Sequence, residues 1–379
     1  MLHVVTRYRT GGSEQRVRDL VAALPDADHL VVVGKDSDAA LAAAHLGVSV
    51  AIEPRLLRAL RPVQDGRAFL ALRARVRREQ VDVVITHQSK AGVLGRLAAR
   101  SAGRVPAVHS LSMANFGPGY GRVESLVFRM IEWALAPITA RYVCVGADLA
   151  RRFEIAGIAS DALTIVRSGA SLPSPRPAHP PAVPGIPDGR PVIVCLGALE
   201  PRKNPLDLVP LLAQVRRAVP DAFLAVAGSG PQAGALEERI RAAGLSDHVA
   251  LLGYVSPVDP LFWRADALVL LSTAEGLPQV LMQGAAAGVP FVSYEVDGAR
   301  ELIGLGARGT VVALGDVGAA ARALVGALSE PGIGVRTVDV SSWETAVIQA
   351  SYRRVIDGVL ELGPQPNVGV PVEDRRRVG

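Results

Sequence analysis

The chain has 379 residues, of which 49% are hydrophobic, 20% charged and only 4% aromatic. This length predicts two domains, and the hydrophobic content excludes a chain that is disordered throughout. The net charge of +5 is unevenly spread, because residues 1–175 carry 23 basic and 15 acidic side chains. Cys144 and Cys195 lie in apolar runs and are too few for a zinc cage, so we expect buried thiols and no metal.

The basic first half is typical of a protein that meets an anionic substrate or an anionic membrane surface. A weak peripheral contact between this half of the chain and the membrane is therefore one of the alternatives. No nucleic-acid partner is expected, since no recognised binding motif accompanies the charge and aromatic rings for base stacking are few. Neither a signal peptide nor a membrane-spanning run is predicted, which favours a cytoplasmic protein.

Short apolar runs alternate with stretches of helical length along the chain. Runs of this kind, separated by helices, predict right-handed βαβ units and parallel sheets that are covered on both faces. The runs of the first half are 2–6, 30–34, 48–52, 81–87, 107–111, 142–146 and 163–166. Those of the second half are 192–197, 223–228, 249–255, 267–272, 291–296 and 310–314.

A proline-rich segment, LPSPRPAHPPAVPGIPDGRP, separates the two halves and is predicted to be the interdomain linker. The predicted fold class is α/β, with two Rossmann-like, doubly wound domains that face a central cleft. The predicted boundaries are 1–171 for the N-domain, 172–191 for the linker, 192–342 for the C-domain, 343–363 for a helix that crosses back to the N-domain, and 364–379 for a flexible tail.

Ligands of open α/β sheets bind beyond the carboxyl ends of the strands. Residues that bind a ligand are therefore expected in the loops that follow the apolar runs. Gly11 and Gly12 precede Ser13, a predicted N-cap, and such a turn favours an anion at a helix N-terminus. In the second half, GALEPRKN and GSGP follow apolar runs. Arg202 and Lys203 in the first of these loops are suited to a diphosphate.

The stretch EGLPQVLMQGAAAGVPF, which begins at Glu275, is the most informative part of the sequence. Pro278 and Gly288 bound a predicted short helix, 279–287. A carboxylate at Glu275 can accept hydrogen bonds from vicinal sugar hydroxyls, while N–H groups at residues 276–278 face a phosphate.

These residues resemble the retaining glycosyltransferases of family 4, which have the GT-B fold, and the resemblance extends from GGSE at residue 11 to the last helix. It is most specific in 275–300 and in HQSKAGVLG at 87–95. The resemblance implies transfer of a sugar from a nucleotide diphosphate donor, linked to UDP, GDP or dTDP, to an acceptor. It implies retention at the anomeric carbon, no metal and no separate cofactor.

The resemblance also assigns roles by position. Glu275 would contact the donor sugar, Lys203 would pair with the diphosphate and His109 would lie beside the sugar, as the catalytic set. Donor binding would involve Gly11, Gly12, Arg202, Gly228, Gly230, Tyr254, Val255, Gly276, Leu277, Pro278 and Gln283. The acceptor pocket would be lined by His87, Ser89 and Lys90, although helix capping is an equal alternative for Ser89.

The sequence departs from the family pattern at Gln283, where the family has a second glutamate, and at Ala198, where it has an arginine. Two other functions therefore stay open: a sugar-nucleotide epimerase of the same fold, and a catalytically weak relative that only binds nucleotide. The Asp-x-Asp pairs at 26/28 and 36/38 have the spacing of the metal sites found in single-domain glycosyltransferases. A metal site is not favoured here, because two Rossmann-like domains already supply a cleft for the donor. Arginines 73, 75, 77 and 78 lie on one basic helix. Their side chains either contact anionic lipid or form a solvated face.

Overall fold

The computed structural model describes residues 1–8, 12–87, 89–173, 177, 179, 181–329 and 337–363. Within these residues the chain forms two parallel sheets. The strands of the first are β1 (Leu2–Val5), β2 (Leu30–Gly34), β3 (Ser49–Glu53), β4 (Val84–His87), β5 (Ala107–Leu111), β6 (Arg141–Cys144) and β7 (Leu163–Ile165). Its helices are α1 (Gly12–Ala23), α2 (Ala39–Leu46), α3 (Pro62–Arg78), α4 (Ser89–Gly103), α5 (Arg122–Leu135) and α6 (Ala147–Ile155).

The second sheet restarts the pattern after the proline-rich segment. Its strands are β8 (Val192–Leu196), β9 (Phe223–Ala227), β10 (Val249–Gly253), β11 (Ala267–Leu270), β12 (Phe291–Tyr294) and β13 (Gly309–Val312). The remaining helices are α7 (Leu208–Val215), α8 (Ala233–Ala242), α9 (Asp259–Arg264), α10 (Gln279–Ala286), α11 (Ala299–Gly304), α12 (Val317–Ser329) and α13 (Thr345–Glu361).

The strand orders are β3-β2-β1-β4-β5-β6-β7 and β10-β9-β8-β11-β12-β13. In each sheet the first strands are added on one side of the starting strand, and the later strands are added on its other side. The order of the strands therefore reverses once, between β1 and β4 in the first sheet and between β8 and β11 in the second. This is the order of a doubly wound α/β domain, so the predicted fold class is confirmed. A crevice opens at each reversal, because the two adjacent strands send their loops to opposite faces of the sheet.

Sequence signals account for several element boundaries. Asp38 caps α2 by accepting a hydrogen bond from the Leu41 N–H at 2.9 Å, and Gly47 ends it with a left-handed φ of 65°. Two predicted details were wrong. Helix α1 begins at Gly12, which places Ser13 in its first turn rather than at the N-cap, and β4 begins at Val84 rather than at residue 81.

Burial across the sheets is uneven at their edges. The central strands β1, β4, β5, β9 and β11 are buried throughout, whereas β3 and β10 are largely half-buried or exposed. An edge strand has a neighbour on one side only, which explains why continuous apolar runs there do not imply complete burial.

The last helix, α13, packs on the first domain rather than on the second. Ile348, Tyr352 and Ile356 join Leu20 of α1 and Val83 in one buried cluster. The chain therefore crosses from the second sheet back to the first before residue 363. The predicted tail at 364–379 lies outside the described residues, as do parts of the predicted linker.

Candidate active site

The reversal point of the second sheet brings together the loops that follow β8 and β11. The backbone N–H of Thr273 donates to the carbonyl oxygen of Arg202 at 2.8 Å, which ties the two loops directly. Arg202 Nη1 in turn donates to the carbonyl oxygen of Ala274 at 2.8 Å. Residues 72 positions apart in sequence thus meet because their strands are neighbours.

An ion cluster lies at this junction. The Nζ atom of Lys203 is 2.5 Å from Oε1 of Glu275, and Nη1 of Arg202 is 3.3 Å from Oε2 of the same carboxylate. Arg202 also contacts Glu200 at 2.9 Å. The structure therefore brings together Glu275, Lys203 and Arg202, which the sequence placed in one donor site.

The cluster sets the charge of Glu275. Burial alone would raise the pKa of this carboxyl, but the adjacent Lys203 and Arg202 outweigh burial and hold its pKa below the ordinary value of 4.5. The side chain is only 11% exposed, whereas those of Lys203 and Arg202 are 21% and 33% exposed. Glu275 is therefore a carboxylate that can accept hydrogen bonds. Lys203 and Arg202 are sufficiently exposed to contact an anion.

Gly276 lies where the two domains meet. A Cβ atom at this position would stand 1.9 Å from the carbonyl oxygen of Ser112, which belongs to the loop after β5. Only a residue without a side chain permits this approach. The loop carrying Glu275 is therefore pressed against the N-domain, and Glu275 faces the space between the domains.

That space is a narrow groove with a cavity volume of about 10 Å³ and walls from both domains. Its lining residues are Ala114, Phe116, Pro118, Tyr120, Arg152, Thr273, Ala274, Glu275, Glu295, Val296 and Asp297. The wall contributed by residues 112–121, SMANFGPGYG, was not predicted from the sequence. Its Gly-Pro-Gly stretch was the available signal, since it follows a strand and lacks any helical periodicity.

Helix α10 is held by a contact between domains. Leu277, which is buried, and Pro278 lead into this helix, where Pro278 occupies the N-cap position. Gln283 donates from Nε2 to the carbonyl oxygen of Ser171 at 3.0 Å. Gln283, which was predicted to take part in donor binding, is thus bonded to the segment that leaves the first domain.

His109, which the family resemblance places beside the donor sugar, is buried in the N-domain. Its side chain is 0% exposed within β5, with Nδ1 2.8 Å from Oγ1 of Thr86 and Nε2 3.9 Å from Glu132. Burial, assisted by Arg96, lowers its pKa well below 6.5. Gly92 of α4 leaves room for the ring, because a Cβ there would lie 2.4 Å from Cε1. The Nε2 atom of His109 has no hydrogen-bond partner among the described residues, and a role beside the donor sugar stays a prediction.

The predicted acceptor residues are also engaged internally. His87 is buried, with Nε2 3.5 Å from Nδ1 of His3, and its pKa falls to about 3 through burial and the nearby Arg16. Lys90 pairs with Asp65 at 2.5 Å and donates to the carbonyl oxygen of Ala59. Ser89 is the first residue of α4, so it lies in the first turn of this helix rather than at its N-cap. Both His87 and Lys90 thus have partners within the N-domain, and an acceptor pocket at these residues stays a prediction.

Of the remaining predicted donor residues, four lie around the second sheet, one begins helix α1 and one lies outside the described residues. The Gly228 N–H donates to Gly253 at 2.7 Å, and the Gly230 carbonyl accepts from Ala233 at 3.1 Å, so this loop is bonded to protein. Tyr254 directly follows β10 and is exposed, and Val255 is half-buried beside it. Gly12 begins α1, whereas Gly11 lies outside the described residues.

In the part of the chain that the structure describes, no three His, Cys, Asp or Glu side chains are grouped so that they could hold a metal ion. Asp38 of one Asp-x-Asp pair is committed to capping α2. In the same residues, no helix has both the length and the hydropathy needed to cross a membrane.

The sequence matches two family descriptions, Glycosyltransferase Family 4 over residues 10–172 and Glycosyl transferases group 1 over residues 180–337. It is 29% identical over 316 residues to the phosphatidyl-myo-inositol mannosyltransferase of Mycobacterium leprae, covering 79% of this chain and 80% of that protein. It is 25% identical over 281 residues to the UDP-Gal:alpha-D-GlcNAc-diphosphoundecaprenol alpha-1,3-galactosyltransferase of Escherichia coli, covering 72% and 73%.

The fold is that of a solved relative. The crystal structure of Anabaena Alr3699/HepE in complex with UDP-glucose superposes with a TM-score of 0.72 at 18% identity, covering 95% of this chain and 99% of that one. The two families meet near the proline-rich segment, as the two sheets do. The chain is therefore a glycosyltransferase of family 4, with the GT-B fold.

Proposed function

We propose that this glycosyltransferase moves a sugar from a nucleotide diphosphate donor with retention of the anomeric configuration, using the cluster of Glu275, Lys203 and Arg202. The observation that carries the proposal is the meeting of these three side chains at the reversal point of the second sheet. Both homologous enzymes are transferases, which favours transfer over the epimerase alternative.

The chemistry follows from the charges. As the bond from the anomeric carbon to the diphosphate oxygen breaks, that oxygen gains negative charge, which Lys203 and Arg202 are placed to stabilise. Glu275 accepts hydrogen bonds from the sugar hydroxyls and so fixes the ring. The acceptor hydroxyl forms the new bond on the face that the diphosphate leaves, and its proton passes to the departing diphosphate. No second carboxylate is needed as a nucleophile in this scheme.

For the acceptor we propose a glycan precursor carried on a lipid. The names of the two relatives specify a diphosphoundecaprenol-linked and a phosphatidylinositol acceptor. The name of the first relative includes UDP-Gal, so UDP-galactose is the donor to test first, and GDP-mannose and a dTDP-sugar are tested beside it. A soluble natural-product aglycone is the second acceptor class to be tested. Peripheral membrane contact of the N-domain agrees with a lipid-carried acceptor.

The test measures donor binding by thermal shift and turnover by release of nucleoside diphosphate. Lys203→Ala is expected to weaken binding of both nucleoside diphosphate and nucleotide sugar about tenfold or more, because a charge-assisted contact is lost. Glu275→Gln is expected to lower turnover about 100-fold while nucleoside diphosphate binding stays close to that of the wild type.

Glu237→Gln, an exposed carboxylate of α8 with a similar surface ion pair, serves as the matched control and should change neither quantity. The proposal fails if no nucleotide sugar shifts the unfolding temperature, or if Glu275→Gln turns over as fast as the wild type. If Gln283→Glu alone creates turnover in an otherwise inactive protein, the weak-relative alternative replaces it.

A further inference from the structure

The outward face of helix α5 is apolar. Its large side chains recur at helical spacing and are exposed to an unusual degree: Val123 77%, Leu126 56%, Val127 48%, Met130 61% and Trp133 66%. Because residues three and four apart lie on one side of a helix, these five side chains form one continuous stripe, which we call the α5 face.

The inner side of α5 already supplies the contacts that this helix makes with the core. Leu135 is buried there and Phe128 packs against the core. Glu132 is also buried and forms a bidentate ion pair with Arg96, at 2.8 and 2.9 Å. A surface helix normally has one apolar side, which faces the core. In α5 a second apolar side faces outward, so core packing does not explain the stripe. A contiguous exposed apolar patch of this kind marks an interaction site.

The charges beside the stripe are basic. Arg122 and Arg129 of α5 are exposed and lie along one edge of the α5 face, and Glu124 is the one exposed acidic residue of this helix. The surrounding residues 1–175 carry the excess of basic side chains. An apolar stripe containing tryptophan, edged by arginine, is the pattern of a helix that lies in the interface of an anionic bilayer.

The arginines of α3 do not offer a comparable surface. Arg73 and Arg77 donate to the carbonyl oxygens of Ser101 and Ala102, at 3.1–3.2 Å. These carbonyls belong to the C-terminal turn of α4, where cationic side chains stabilise the helix dipole. The basic helix considered from the sequence therefore has a role within the N-domain.

The α5 face adjoins the candidate active site. The groove beside Glu275 is walled by the loop that precedes α5, including Pro118 and Tyr120. A Cβ at Gly119 would lie 2.2 Å from the carbonyl oxygen of Thr273, so this loop is in contact with the donor side. Helix α5 begins at Arg122, two residues after Tyr120. A surface bound to the α5 face would therefore lie close to the groove.

We propose that the α5 face binds an anionic lipid bilayer and so presents the groove to an acceptor anchored in that bilayer. The inference deepens the proposed function and rests on it for the acceptor, but not for membrane binding. The apolar side chains of α5 insert among the headgroups, while Arg122 and Arg129 contact lipid phosphates. The acceptor's sugar then reaches Glu275 with its lipid tail still in the membrane.

The test is flotation of the purified full chain with vesicles of phosphatidylcholine, alone or mixed with phosphatidylglycerol. Leu126→Glu is expected to lower partitioning onto the mixed vesicles about tenfold or more, because a charge replaces a side chain that inserts. Leu70→Glu is the matched control: Leu70 lies on the basic helix α3 and is also 56% exposed. It should partition as the wild type does.

Trp133 gives a second readout that needs no variant. It is 66% exposed, whereas Trp263 is half-buried and Trp343 is buried, so insertion should shift the tryptophan emission of the wild type to shorter wavelength with mixed vesicles. The shift should disappear in Trp133→Phe. Equal partitioning of Leu126→Glu and the wild type, or equal loss in Leu70→Glu, overturns the proposal.

A second copy of the chain could occupy the α5 face instead of a bilayer. Sedimentation velocity tests this alternative, because it measures whether the chain forms a dimer. A dimer that Leu126→Glu dissociates, with vesicle binding unchanged, also overturns the proposal. Donor binding measured without lipid keeps this result separate from the proposed function. Leu126→Glu should bind nucleotide sugars as the wild type does, and absence of donor binding in the wild type would count against the proposed function alone.

Discussion

Arg96 shows how a single buried side chain fixes the N-domain. Its guanidinium is fully buried and binds Glu132 through both oxygens, the carbonyl oxygen of Gly92, and the hydroxyls of Thr139 and Tyr142. These partners come from α4, α5 and the segment around β6. A buried ion pair with all its bonds made adds little net stability, but removal of one partner leaves an uncompensated charge.

We therefore expect Arg96→Met to lower the free energy of unfolding by about 3–5 kcal/mol. The double variant Arg96→Met/Glu132→Leu should cost less than this single change, since no charge is left unpaired. Urea unfolding of both proteins measures the difference. Arg300→Met, which removes an exposed ion pair with Glu295, should change stability by less than about 1 kcal/mol. A double variant as unstable as the sum of its single changes would contradict this account.

At the scale of elements, strands β1 and β4 hold a buried chain of histidines. The Nε2 atom of His29 donates to the carbonyl oxygen of Leu24 at 2.9 Å, so its Nδ1 accepts from Nε2 of His3, also at 2.9 Å. His3 continues the chain to His87. Burial is the main reason that the pKa of each ring falls, with the neighbouring rings, Arg16 and the amino terminus contributing.

This chain predicts a loss of stability in mild acid. Below pH 6.5 the unfolded histidines bind protons while the folded ones stay neutral, so the unfolded state gains protons and the free energy of unfolding falls as pH falls. The slope is up to about 1.4 kcal/mol per pH unit for each buried histidine. For His87 the loss continues down to its folded pKa of about 3.

Urea unfolding at pH 6.5, 6.0 and 5.5 tests this, because carboxylates have barely begun to titrate there. His87→Leu should make the stability–pH slope shallower by up to about 1.4 kcal/mol per pH unit, whatever its effect at neutral pH. The exposed His45→Gln should leave the slope unchanged. An unchanged slope in His87→Leu would show that this ring is not held neutral.

At the scale of the whole molecule, the two domains cap each other's helices. Oε2 of Glu301, in α11, accepts from the N–H of Ala147 at the start of α6, at 2.8 Å. In return, Oδ2 of Asp148 in α6 accepts from the N–H of Gly298 at the start of α11, at 2.9 Å. Each helix N-terminus thus receives a carboxylate from the other domain. Arg152 with Asp297, and Arg167 with Glu301, complete the contact.

These contacts keep the groove narrow. Its cavity volume of about 10 Å³ is far below the range of about 300–1,000 Å³ that is usual for ligand pockets, so binding of a nucleotide sugar requires the domains to part. We expect Arg152→Ala to favour the open arrangement and to raise the radius of gyration measured by small-angle X-ray scattering. The neighbouring Arg151→Ala is the matched control. Identical scattering from Arg152→Ala and the wild type would show that the ion pair does not hold the domains together.

The sequence alone determined the fold class, because two series of apolar runs separated by helices require two parallel sheets. It also indicated that functional residues would follow the strands, and Lys203 and Glu275 both lie in loops of this kind, after β8 and β11 of the same sheet. Both inferences depend on order along the chain, which βαβ topology converts directly into position.

Only the tertiary structure decided which side chains reach the groove. His109 lies within β5 rather than after it, and strand alternation turns its ring toward α4, where Gly92 makes room. The reciprocal caps of α6 and α11, and the outward apolar face of α5, depend on how separate elements pack. Sequence periodicity shows that a helix has an apolar side, but the side that faces water is set by the neighbours, here by Arg96 drawing Glu132 inward.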